Sequence, residues 1–255
     1  MIGVVIPAHN EERELERCLA AVRAAAVDPA LGGEAVRVVV VLDSCSDGSR
    51  AIVERHAAHA GHGRPGADGA CVIEGLLVGA RNVGAARAAG AARLLALGAR
   101  WLAFTDADTR VSPAWLAAQL SLEVDVVCGT VAVDDWSPHR DDAETLRRYF
   151  QRGYTDADGH RHIHGANLGV AAAAYLRAGG FEPLACSEDV ALVAALERCG
   201  ARFAWSSAPR VVTSARRNAR ASGGFGDTLL RYAASARAAL PSDLPVLLNT
   251  SHNAA

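Results

Sequence analysis

No stretch of this chain approaches the ~20 consecutive apolar residues of a membrane-spanning helix, although 51% of its 255 residues are apolar. Much of that fraction is alanine, so it overstates the core. The six cysteines (Cys18, Cys45, Cys71, Cys128, Cys186 and Cys199) form no CxxC pair and show no regular spacing. That argues against a disulfide framework and predicts reduced thiols in a cytoplasmic protein. The run Met1-Ile2-Gly3-Val4-Val5-Ile6-Pro7 lacks the basic leader and the apolar length of a signal peptide. Without an export signal, the sequon Asn249-Thr250-Ser251 is a chance match. A formal net charge of −2 gives no reason to expect nucleic acid or an anionic membrane as partner. The length allows one large domain or two small ones, and neither internal repeats nor a linker-like composition divides the chain.

What is present is an alternation of apolar runs and helical patterns. Ile2 to Ile6, closed by Pro7, predicts a buried first strand. Asn10 with Glu11 and Glu12 predicts a cap and acidic first turn for a helix ending near Ala26. Val36 to Leu42 is nearly continuous Val and Leu, as in a parallel strand covered on both faces. It ends at the polar loop Asp43-Ser44-Cys45-Ser46-Asp47-Gly48-Ser49, which opens a helix from Arg50 to Ala60. Further strands are expected at Cys71–Ile73, Trp101–Phe104, Val124–Val133, Phe203–Trp205 and Val211–Val212. Helices are expected from Arg81 to Gly98, after Ser112-Pro113, within Trp136–Gln151, from Ser187 to Gly200 and from Asp227 to Leu240. Tyr154 to His162 predicts a mobile polar loop. This order predicts an α/β fold with a mostly parallel central sheet flanked by helices. The motif Gly61-His62-Gly63-Arg64-Pro65-Gly66 matches the dinucleotide-binding fingerprint only in spelling. It follows a helix, contains proline and leads into a strand.

The chemistry concentrates at the carboxyl ends of the strands, where open α/β sheets bind ligands. Trp101 to Phe104 runs straight into Asp106-Ala107-Asp108. Two such acids repel unless neutralised, and a divalent cation with oxygen ligands does so. Mg²⁺ or Mn²⁺ on Asp106 and Asp108 would hold a diphosphate and stabilise charge on it as it departs. Asp43 is a good acceptor for the imide N–H of uracil or guanine, and Arg81 with the following helix start can face a base or a diphosphate. Displacement at a sugar carbon also needs a base for the acceptor hydroxyl, and Glu188-Asp189 offers one.

The segments Val5-Ile6-Pro7-Ala8-His9-Asn10-Glu11-Glu12, Val41-Leu42-Asp43-Ser44-Cys45-Ser46-Asp47-Gly48-Ser49, Ala80-Arg81-Asn82-Val83-Gly84, Asp106-Ala107-Asp108, Gly179-Gly180-Phe181 and Ser187-Glu188-Asp189 occur in this order. Together they resemble the family 2 glycosyltransferases of GT-A fold, over roughly residues 2–205. The resemblance implies a Rossmann-like nucleotide-sugar half at 1–133 and an acceptor half at 134–240, both within one domain, and the residues from Pro241 predict a weakly ordered tail at 241–255. It implies that Pro7, Ala8, Asn10, Glu11, Arg81 and Asn82 line the nucleotide pocket and that Asp43 reads the base. Asp106, Ala107 and Asp108 would form the metal motif, with Asp108 the direct ligand. Gly165, Ala166 and Asn167 would lie under the sugar and acceptor, and Asp189, with Glu188 beside it, would be the catalytic base. The activity implied is transfer from a UDP- or GDP-sugar to an acceptor hydroxyl with inversion, dependent on Mg²⁺ or Mn²⁺. Two family elements of processive members, a Gln-x-x-Arg-Trp motif and downstream membrane helices, are absent. In that region stand Arg216, Arg217 and Arg220, followed by Gly223-Gly224-Phe225. They are candidates for a lid with glycine hinges.

Other assignments compete with each of these. The acidic pair could be a solvated loop, Asp43 a helix cap, Asp189 a partner of the helix dipole, and the arginines a solvated surface. His160, His162 and His164 share one face of an extended segment, and zinc is the alternative to a polar loop there. A retaining transferase acting on a small anionic acceptor, and a non-catalytic nucleotide-sugar-binding protein, are the rival functions. A nucleotidyltransferase would carry a basic glycine-rich loop where this chain has Pro7-Ala8-His9-Asn10-Glu11-Glu12.

Overall fold

The structure, a computed structural model, describes residues 1–59, 71–217 and 225–238. The glycine-rich segment 61–66, Arg220 and the tail 241–255 lie outside the described residues.

The valine-rich runs form strands because β-branched side chains fit a pleated surface covered on both sides. Strands β1 (Ile2–Ala8), β2 (Val36–Asp43), β3 (Cys71–Val78) and β4 (Trp101–Phe104) pair in parallel. Along β2, Val38 and Val40 face one core and Val39 and Val41 the other, and only Arg37 of the run is partly exposed. Each buried valine contributes about 1.5–3 kcal/mol relative to exposure. Helices α1 (Leu15–Ala26) and α2 (Ser49–His59) and the alanine-rich α3 (Val83–Ala96) follow β1, β2 and β3. The small residues of α3 let it come close to the sheet. A Cβ on Gly90 would stand 2.6 Å from Val5 Cγ1 and 2.9 Å from Val41 Cγ2.

Beyond β4 the sheet becomes mixed. The remaining strands are β5 (Thr109–Val111), β6 (Val126–Ala132), β7 (Leu168–Ala171) and β8 (Phe203–Thr213), in the sheet order β3-β2-β1-β4-β7-β6-β8-β5. β7 runs antiparallel to both β4 and β6, and β5 antiparallel to β8. The remaining helices are α4 (Trp115–Ser121), α5 (Ala143–Gly153), α6 (Ala172–Arg177), α7 (Glu188–Arg198) and α8 (Phe225–Ala238). Because Phe104 pairs with Leu168, the residues just before β7 return to the edge at which β4 ends. That reversal carries 165–167 toward Asp106.

Several local expectations change. Asn10 does not cap α1, which begins at Leu15. Asn10 takes positive φ and its side-chain oxygen instead accepts from Ser46 N at 2.8 Å. β5 was not foreseen, since three residues beside two aspartates carry no periodic signal. Phe203–Trp205 and Val211–Val212 belong to one strand, because β6 holds the interruption through a register shift. The segment Tyr154–His162 has no regular structure, but His160 and His162 in it are buried.

Candidate active site

The loops after β1 and β2 are knitted together by short polar side chains. His9 Nδ1 donates to the Asp43 carbonyl at 2.6 Å, Ser49 Oγ accepts from Glu11 N at 2.8 Å, and Glu12 Oε2 accepts from Gly48 N at 2.8 Å. Cys45 Sγ reaches the Ala8 carbonyl at 3.3 Å, and Pro7 sits opposite Val41 in the strand pairing. Asp43, itself buried, accepts from Arg81 N at 2.8 Å and Asn82 N at 2.9 Å, one on each oxygen. Asn82 then caps α3 by accepting from Ala85 N at 2.9 Å. Asp43 therefore fixes the turn before α3, where Asn82 is the N-cap, and is not seen to cap α2. Asn10, Ser44, Arg81 and Ser187 have φ between 47° and 60°. Non-glycine residues hold this left-handed backbone only where neighbours enforce it, and such positions cluster at functional sites.

Arg87, in the middle of α3, organises the next part. Its side chain is only 3% exposed, and the guanidinium fork meets three partners. Nη2 donates to Asp106 Oδ1 at 2.6 Å, Nη1 to the Gly165 carbonyl at 2.7 Å and Nε to Glu188 Oε1 at 3.0 Å. Asp189 Oδ2 accepts from Gly165 N at 2.7 Å. One residue, Gly165, is thus held on its carbonyl by Arg87 and on its amide by Asp189. A Cβ there would lie 2.4 Å from Arg87 Nη2, so only glycine fits. Burial pushes the carboxyls of Glu188 and Asp189 up, and the Arg87 charge opposes the rise in both.

Glu11 and Asp108 share a second guanidinium. Arg216 Nη1 and Nη2 grip the two Glu11 oxygens at 2.5 and 2.8 Å, and Nη2 stands 3.1 Å from Asp108 Oδ2. Burial pushes Asp108 up to about 7; Arg216 opposes this, while Asp106 and Glu11 add to it. The chain contains no lysine, so both fixed cations of the site are arginines.

Asp106 and Asp108 offer only hard oxygen donors, which suits Mg²⁺ or Mn²⁺ and not a soft metal. Among the described residues no third His, Cys, Asp or Glu joins them in a metal cluster. Two aspartates fall short of a full coordination sphere, so a divalent ion held there would need further ligands from outside the pair. Ala107, between them, is buried in the core.

The rest of the expected set divides. Ala166 is buried, and Asn167 is fully buried with its amide spent inside the protein. Its Oδ1 accepts from Trp115 Nε1 at 2.8 Å and its Nδ2 donates to the Thr130 and Pro209 carbonyls at 2.7 and 2.8 Å. Asn167 braces β6 and β8 beneath the site. Arg217 is exposed, and Arg220 lies outside the described residues. His160, His162 and His164 stack with one another and with Tyr154, and no metal cluster of described residues includes them. Tyr154 Oη accepts from Val131 N at 2.7 Å and donates to His164 Nε2 at 2.9 Å. Arg87 escaped the sequence reading because an arginine in an alanine-rich helix looks like a solvent-facing residue. The available signal was its position between Gly84 and Gly90, on a helix whose small residues imply close packing.

The model of "Glycosyl transferase family 2" matches residues 3–178. The chain has no match among curated proteins. Among solved structures, S. aureus TarS 1-349 in complex with UDP-GlcNAc superposes with TM-score 0.58 at 16% identity, covering 96% of this chain and 68% of that one. The mannosyltransferase PcManGT from Pyrobaculum calidifontis, in complex with GDP-Man and Mn²⁺, gives 0.56 at 19% identity, with 92% and 60% covered. GalNAc-T7 with UDP, GalNAc and Mn²⁺ gives 0.59 at 15%, with 84% and 43% covered. The chain therefore spans 43% to 68% of the length of these structures, and at such identities the likeness establishes the fold. Among the described residues no helix is long and apolar enough to cross a membrane. With the match running from residue 3 to residue 178, well over half its length, the chain belongs to glycosyl transferase family 2.

Proposed function

We propose that this chain transfers a sugar from a UDP- or GDP-sugar to an acceptor hydroxyl, with inversion at the sugar carbon. The observation that carries the reading is the buried Arg87 fork, which ties Asp106, the Gly165 carbonyl and Glu188 together at the strand edge. Three segments far apart in sequence are thereby held rigidly around one place, as a two-substrate reaction requires. The bound nucleotides of the TarS and PcManGT structures support the donor class.

In this reading the loops around Pro7, Ala8, Asn10 and Arg81 receive the nucleoside. Asp43 Oδ1 accepts from Arg81 N and Ser44 Oγ, whereas Oδ2 accepts from Asn82 N and keeps a lone pair for a base imide. Mg²⁺ or Mn²⁺ on Asp106 and Asp108 would supply charge stabilisation at the departing diphosphate. Asp189 takes the proton of the acceptor hydroxyl. Its raised carboxyl is a stronger base than an exposed aspartate, and its bond to Gly165 N fixes its direction. Calorimetry with UDP and GDP in the presence of Mn²⁺, followed by a nucleotide-sugar panel scored for slow hydrolysis, tests this. Absence of binding to both nucleotides would overturn it.

A further inference from the structure

Arg216 lies 205 residues beyond Glu11 in sequence, yet its guanidinium is clamped between the loop after β1 and the loop after β4. The segment that carries it is anchored. β8 pairs with β5 up to Thr213, Thr109 Oγ1 and Thr213 Oγ1 are 3.0 Å apart, and Ala215 is buried. The guanidinium therefore sits on Asp108 by design of the strand pairing and not as a stray surface contact. Asp108 is only 12% exposed, so it has little room for a second cation beside Arg216.

A Mg²⁺ ion binds its oxygens at about 2.0–2.1 Å, whereas Arg216 Nη2 stands 3.1 Å from Asp108 Oδ2. Both on the same carboxylate would press like charges together in a poorly solvated place, where Coulomb repulsion is strong. We propose that Arg216 occupies the cation position on Asp108 while no donor is bound, and that a divalent ion arriving with a nucleoside diphosphate displaces it. This rests on the nucleotide-sugar reading above. The displaced guanidinium needs a new acceptor, and the diphosphate oxygens, which match its two-pronged geometry, supply one. Metal and diphosphate then bind cooperatively, because each makes room for the other through Arg216. Metal alone meets an occupied site.

Mn²⁺ binding to the full chain, followed by electron paramagnetic resonance with and without UDP or GDP, tests the exchange. Arg216→Gln should bind Mn²⁺ alone about tenfold more tightly than the wild type, an ordinary coupling magnitude. The same variant should gain less Mn²⁺ affinity from added nucleotide. Arg216→Lys, which keeps the charge but loses the two-pronged hold on Glu11, should show a smaller increase and serves if the glutamine variant does not fold. Thermal melting in EDTA reports folding for both. Unchanged or weaker affinity for Mn²⁺ alone in a folded variant overturns the exchange, and binding of UDP or GDP with Mn²⁺ by the wild type then leaves the donor assignment standing. Failure of the wild type to bind UDP or GDP with Mn²⁺ overturns both.

Discussion

Arg87 Nε and Glu188 Oε1 lie 3.0 Å apart although 101 residues separate them, and both side chains are buried. The pair joins the middle of α3 to the first turn of α7. Neither residue could be buried alone, since an unpaired charge in this setting is costly.

Replacing Arg87 with methionine should therefore destabilise the fold severely, by about 3–5 kcal/mol. The half-exposed Asp106 end of the fork contributes less than the Glu188 end. Arg87→Lys retains a cation but cannot reach three partners at once. It should lose less stability, visible in urea unfolding, and still lower kcat on any donor that is hydrolysed.

Asn167→Ala should cost about 2–4 kcal/mol, because it leaves the Trp115 indole N–H and two carbonyls without partners in a dry place. The midpoint of denaturant unfolding measures it. Nucleotide affinity of the folded fraction should stay within twofold or so of the wild type, since Asn167 is committed to the core. Gly129→Ala attacks the same point from the other side, where a Cβ would meet Asn167 Nδ2 at 2.2 Å.

Asp189→Asn should keep nucleotide binding and abolish transfer. Retained transfer would remove Asp189 as the base. Asp108→Ala should sharply weaken Mn²⁺-dependent nucleotide binding in calorimetry, and unchanged binding would move the metal elsewhere.

The histidine stack predicts an acid limb in stability. Burial holds His164 down to about 3, against 6.5 for the free side chain, and the neighbouring histidines add to the effect. Between these values the unfolded chain binds the proton and the folded one does not, so stability rises with pH over that range. It is complete above about 6.5 and is lost as pH falls toward 3, with a limiting slope of about 1.4 kcal/mol per pH unit for one group. His164→Gln should flatten the slope measured by urea unfolding from pH 6.5 to 4. An unchanged slope would assign the limb to other groups, His160 and His162 first, since burial lowers both.

Strand and helix identity was legible wherever one local cause dominated. The valines of Val36 to Leu42, interrupted only by Arg37, point to a strand with two covered faces, and the valines of β2 are buried on both sides. The acids at the ends of β2 and β4 were legible for the same reason, as polar residues stopping an apolar run. Where long-range partners decide, local pattern was silent. β5 exists because β8 offers an edge to pair with, and Asn10 left its helix because the loop after β2 offers a better bond.

The sequence by itself determined which chemistry is present: paired aspartates after β4, Asp43 closing β2, Glu188 and Asp189 opening α7, and an arginine cluster beyond β8. Those are covalent facts, and their order along the chain follows from the strand alternation. Only the tertiary structure decided how their charges are matched. Arg87 on Asp106 and Glu188, Arg216 on Glu11 and Asp108, and Asn167 turned into the core are pairings across roughly 20 to 205 residues of chain. Burial of a charge demands a partner whatever its distance in sequence, and which partner it finds is settled by packing.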